Sequence, residues 1–130
     1  MTRDPHALID YLDGRADWLF GYGPAPKTHD CARFVSAGVE SVTGISPLAN
    51  FDGAWKTEAG AARVICRYGG MDAAVSTVMT EIPVTLAQRG DVGLTEGDAL
   101  VLIEGATVVG LSDDGQYRLP RQSLIKAWTV

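Results

Sequence analysis

Three observations on the 130-residue chain predict an α+β domain, helices first and a small antiparallel sheet last. Apolar residues at Cys31, Phe34, Val35, Val39 and Val42, with Gly38 on the same stripe, recur at the spacing of one buried helical face. From Gly90 onward that period gives way to short β-prone runs broken by glycine. Asp113-Asp114-Gly115 between two such runs is a hairpin signal. Helices followed by a meander of strands is the sequence order of an α+β fold.

Asp4-Pro5 reads as an N-cap with proline in the first helical position, and Ala7, Leu8, Tyr11 and Leu12 supply an apolar face. Helix 1 is therefore expected over Pro5 to Leu12, resuming after Gly14 towards Trp18-Leu19-Phe20. The Gly and Pro content of 21–27 makes that stretch a loop. Thr28 and Asp30 can both cap the helix that begins at Cys31, and Gly44 stops it. Residues 46–50 connect to a helix over 57–68, capped by Thr57 and ended by Gly69-Gly70. Asp72 caps a further helix through Met79, bounded by Pro83. Five strands come next, over 90–94, 99–103, 107–111, 116–119 and 125–130. Residues 1–82 are thus mainly helical and 90–130 mainly strands, in one domain, because a chain this short cannot bury two independent cores.

A net charge of −5, with no two basic residues adjacent, lacks the positive footprint that nucleic acid requires. No apolar run approaches the ~18 residues of a spanning helix. The first residues, Met1 to Pro5, are polar and no apolar h-region succeeds them, so a protein made in the cytoplasm, and not a membrane protein, is expected. There Cys31 and Cys66, the two cysteines, remain free thiols. No Cys/His spacing suggests zinc, and nothing calls for a cofactor.

Cys31 falls in the first helical turn, where the positive end of the helix dipole favours a thiolate. A cysteine hydrolase places its nucleophile there. The motifs Phe20-Gly21-Tyr22-Gly23-Pro24, Asp30-Cys31-Ala32-Arg33-Phe34-Val35 and Gly90-Asp91-Val92, with the strand Ala99 to Gly105, resemble the papain-like cell-wall peptidases of the NlpC type. In that family an aromatic-glycine loop precedes an Asp-Cys helix start, and a Gly-Asp turn precedes a strand opened by the catalytic histidine. The Asp-Cys-x-x-Phe helix at Cys31 to Phe34, Thr43-Gly44 and the terminal Ala127-Trp128-Thr129-Val130 resemble, more closely still, a family of short phage- and prophage-encoded proteins of uncharacterised function.

The resemblance implies Cys31 as nucleophile, Phe20 (or Tyr22, one turn on) at the oxyanion-site tyrosine, Ala99 where the histidine belongs and Gly110-Leu111 where the orienting polar residue belongs. Amide cleavage by a thiol needs a base that returns its proton to the leaving amine, and a third group to orient that base. No histidine occurs after His29, so no shift of register restores the usual base. His29 is the one candidate stand-in. Two residues apart do not face each other on a helix, so His29 needs a folded-back loop to reach Cys31; otherwise it is a surface histidine, and Cys31 a buried helix residue. His6 is a solvated side chain. Asp30 caps, Asp91 and Asp98 serve turns, and Trp18, Trp55 and Trp128 anchor packing.

With the nucleophile kept and both base and orienter lost, the pattern is that of a degenerate hydrolase fold. The resemblance implies a structural or assembly protein of a phage or prophage tail, made in the bacterial host and incorporated in the virion, with other proteins of the tail tip or hub as partners. The alternative is an active cysteine peptidase or amidase that cuts cell-wall peptides during DNA entry, with Cys31 as nucleophile and His29 or a partner's residue as base.

Overall fold

In a computed structural model, which describes residues 3–23, 25–51 and 53–130, the chain folds as four helices and two sheets. Pro24 of the glycine-proline loop and Met1-Thr2 lie outside the described residues. In order, the elements are α1 (Ala7–Gly14), β1 (Leu19–Phe20), β2 (Thr28–His29), α2 (Cys31–Thr43), α3 (Glu58–Tyr68), α4 (Met71–Ser76), β3 (Thr80–Ile82), β4 (Val92–Thr95), β5 (Leu100–Ile103), β6 (Thr107–Ser112), β7 (Gly115–Pro120) and β8 (Leu124–Thr129).

The α+β class stands, but the main sheet has six strands rather than five, antiparallel throughout in the order β3-β8-β4-β5-β6-β7. The extra strand, β3, occupies the end of the stretch expected to be helical. Thr77 turns its hydroxyl back onto the Ala74 carbonyl, 2.7 Å away, and α4 stops at Ser76. Thr80 to Ile82 then pairs with Thr129 to Ala127. A three-residue strand is too short for a period of two to be read from sequence. Asp72 does not cap α4 either: Gly70 holds the N-cap position and the Asp72 carboxylate pairs with Lys126 at 2.9 Å.

Leu19-Phe20 extends no helix. It forms β1, whose parallel pairing with β2 matches Leu19 to Thr28 and Phe20 to His29. Helix α1 starts at Ala7 rather than Pro5 and runs to Gly14: His6 holds the N-cap position with no side-chain cap bond, and Asp4 accepts the His6 N–H at 3.1 Å in the turn before it. The limits of α2 and α3 obey the expected chemistry. Thr57 caps α3 through the Gly60 N–H, and Gly44 and Gly69 end α2 and α3 with φ of +79° and +90°.

The sheet separates two cores. On one face Leu94, Leu100, Leu102, Val109, Leu111 and Trp128 pack beneath α1 and α2. On the other, Val101, Ile103, Val108, Leu124 and Ala127 are buried with Ala87. Leu100 to Ile103 is thus covered on both faces, which explains why it reads as an unbroken apolar run. Arg121 ties the 83–88 segment by donating to the Val84 and Ala87 carbonyls, each at 2.6 Å. Helix α2 lies close on β5 because Gly38 has no side chain: a Cβ there would sit 2.4 Å from Leu102 Cδ1.

Trp128 is fully buried and donates from its indole to Ser76 at 3.0 Å. The carboxylate of Asp91 accepts from Gln88 N–H, Thr129 Oγ1 and Arg3, so the expected turn residue also fastens β8 to the N-terminal segment.

Candidate functional site

Asp30 sets the geometry at the start of α2. Its backbone is extended and its Oδ1 accepts the Arg33 N–H at 2.8 Å, the geometry of an N-cap. Thr28 takes no part in capping, since its hydroxyl donates to the Ala25 carbonyl at 2.6 Å. The second Asp30 oxygen accepts the Trp55 indole N–H at 2.7 Å and the Arg33 guanidinium. Arg33 also donates to the Trp55 carbonyl at 2.8 Å, and its charge lies 4.6 Å from the centre of the Trp55 ring. A buried carboxylate is stable only when paired and hydrogen-bonded, and here the bonds from Asp30 and Arg33 to Trp55 tie the 53–57 segment to the first turn of α2.

The Cys31 thiol, half-buried, is enclosed by that turn and by the first residue of β5. Backbone N–H groups of Leu100, Ala32 and Cys31 itself favour a thiolate, but burial is the larger effect and the Asp30 charge adds to it, so the Cys31 pKa is raised. The thiolate expected from the helix dipole is therefore outweighed by desolvation.

Leu100, rather than Ala99, lines the space beside the sulfur. Ala99 comes directly after the turn residue Asp98, whose φ is +62°. By strand alternation Ala99 falls on the side of Val101, away from α2. Leu100 and Leu111 are 3% and 4% exposed on the α2 face. Gly110 points to the opposite face, where the Tyr117 ring covers it.

His29 is turned to a different cluster. Its Nε2 accepts from Arg15 Nε at 3.2 Å and its ring lies 4.5 Å from that of Trp18. Burial, then the Arg15 charge, pushes its pKa down to about 4. His29 is thus neutral near pH 7, but its acceptor nitrogen is already occupied by Arg15. His6 is exposed in the turn before α1. Neither histidine lines the space around Cys31.

The tyrosine at that space is Tyr22, not Phe20. Phe20 packs on the core, and Tyr22 meets it edge-on at 5.3 Å while lining the Cys31 cavity. Burial, with the Cys31, Asp30 and Glu58 charges, raises the Tyr22 pKa. The cavity, about 70 Å³, lies between α2, α3 and α4, and its walls are almost wholly apolar. The sequence pointed to Cys31, Asp30 and Tyr22 and to Trp55 only as a packing anchor, and gave no sign of Arg15; the roles of Trp55 and Arg15 depend on contacts 25 and 14 residues distant.

Among the described residues no group of three His, Cys, Asp or Glu side chains is placed to hold a metal ion. No helix among the described residues is long and apolar enough to cross a membrane. A family model described as a domain of unknown function, DUF6950, matches residues 2–130, and the chain belongs to that family. No curated protein and no solved structure matches the chain.

Proposed function

We propose that this member of the DUF6950 family is a non-hydrolytic domain on a papain-like, NlpC-type frame, serving as a structural or assembly component of a phage or prophage tail. The observation that carries the first part is the surroundings of Cys31. The Cys31 sulfur shares its space with Leu100 and with no histidine, Leu111 is buried in β6 on the same face of the sheet, and His29 is bonded to Arg15. A thiol whose pKa is raised and which lacks a proton acceptor neither attacks an amide nor protonates the leaving amine.

The papain-like frame is supported by a cysteine opening a core helix that packs across an antiparallel sheet. The tail setting rests on the sequence resemblance alone, with tail-tip or hub proteins as the partners. Quantifying the protein in purified particles of a phage or induced prophage that encodes it tests this setting. Enrichment with tail components supports the reading; absence from particles and from tail-assembly intermediates removes it.

The second reading is a cysteine peptidase or amidase acting on cell-wall peptides. In its favour are the three backbone N–H groups around the Cys31 sulfur, which would stabilise a thiolate once a partner supplied a base. Replacing Cys31 by Ala separates the two. The peptidase loses all turnover, whereas the assembly component retains its incorporation into particles.

A further inference from the structure

The space beside Cys31 is bounded by three helices that each present a methyl group: Ala32 from α2, Ala61 from α3 and Ala74 from α4. Three small residues meeting at one point keep open a volume that larger aliphatic side chains would fill. Val64, Val75 and Met71, among its other walls, are apolar, and the unbranched Met71 adapts to different shapes. Asp30, the charged group on the wall, has its oxygens taken by Arg33 and Trp55. The space, partly open to the surface, therefore offers water few partners and favours an apolar guest.

We propose that this cavity is a binding site for a short branched alkyl group of three or four carbons. Its size argues against a ring, since about 70 Å³ is roughly half the ~150 Å³ of an apolar cavity that admits benzene. Tyr22 and Cys31, which also line it, supply a hydroxyl and a thiol for the polar end of such a ligand. The alkyl group belongs either to a free small molecule or to a valine or leucine side chain in a bound peptide. The inference deepens the reading of a non-hydrolytic domain and rests on it.

The test is an NMR titration of the full chain, methyl-labelled at alanine and methionine, with 2-methylpropan-1-ol, N-acetyl-leucine amide and benzyl alcohol. Saturable shifts at Ala32, Ala61, Ala74 and Met71 are expected for the first two probes, with benzyl alcohol at least tenfold weaker. Ala61→Leu fills the space and should abolish binding; Ala74→Val serves the same purpose if that variant does not fold. A leucine amide at least tenfold tighter than the alcohol identifies the peptide source, and equal affinities identify the free molecule. Absence of shifts at these methyls, equal binding of the benzyl probe, or binding that survives in a folded cavity-filled variant overturns the proposal. Cleavage of the leucine amide in the same samples would instead contradict the non-hydrolytic reading, so the two failures are separate.

Discussion

The Nε2 atom of His29 accepts a hydrogen bond from Arg15 Nε at 3.2 Å, and the Arg15 guanidinium lies over the rings of Tyr11 and Trp18 at 4.1 and 4.8 Å. Arginine is charged at any accessible pH, so this bond requires neutral imidazole. The residue best suited by type to serve Cys31 as a base is thereby committed to another role.

Stability should depend on pH through this histidine. The His29 pKa is about 4 in the fold against 6.5 for the free side chain, so between these values the unfolded chain binds the proton first. The contribution of neutral His29 is complete above pH 6.5, declines as pH falls towards 4 and is lost below that. Allowing for the partial exposure of the ring, it amounts to about 1–2 kcal/mol. Urea unfolding at pH 7 and pH 4.5 should show this loss in the native protein and a smaller one in His29→Gln, which keeps an acceptor but does not titrate.

The two thiols should differ in reactivity. Cys66 is exposed, whereas Cys31 is half-buried with a raised pKa. Iodoacetamide at pH 7.5 followed by peptide mapping is expected to label Cys66 at least tenfold faster. Preferential labelling of Cys31 would mean that its thiolate is populated, against the geometry described.

Asp30→Ala removes the α2 cap and leaves the Arg33 guanidinium and the Trp55 indole without their shared acceptor. The loss should reach about 3 kcal/mol, the range for breaking a buried pair. Trp55→Phe, which deletes one donor and keeps most of the apolar bulk, should cost about 1–2 kcal/mol. Chemical denaturation of both variants measures the difference.

Gly38→Ala places a methyl group 2.4 Å from Leu102 and should cost about 1–3 kcal/mol by overpacking. Because the clash is with the end of a side chain, Leu102→Val in the same chain should recover part of that loss. Thermal melts of the two single variants and the double variant give the coupling.

Local chemistry accounts for what the sequence made legible. Asp30 and Thr57 as caps, Gly44 and Gly69 as stops, and the Asp113-Asp114 hairpin each depend on neighbours within a few residues, and each is found where expected. The stripe from Phe34 to Val42 is the buried face of α2. What escaped depends on pairing at a distance. Leu19-Phe20 is a strand because Thr28-His29 lies beside it, and Thr80 to Ile82 because β8 returns past it. That Leu100 rather than Ala99 lines the space beside Cys31 also depends on strand register, since one residue along a strand moves the side chain to the other face.

Whether the cysteine helix persists without hydrolysis is decided by incubating the protein with cell-wall stem peptides from pH 5 to 9 and analysing the products by mass spectrometry. No cleavage product above the peptide-only control is expected, for the native protein and for Cys31→Ala alike. A product formed by the native protein and absent with Cys31→Ala would overturn the non-hydrolytic reading and establish Cys31 as a working nucleophile.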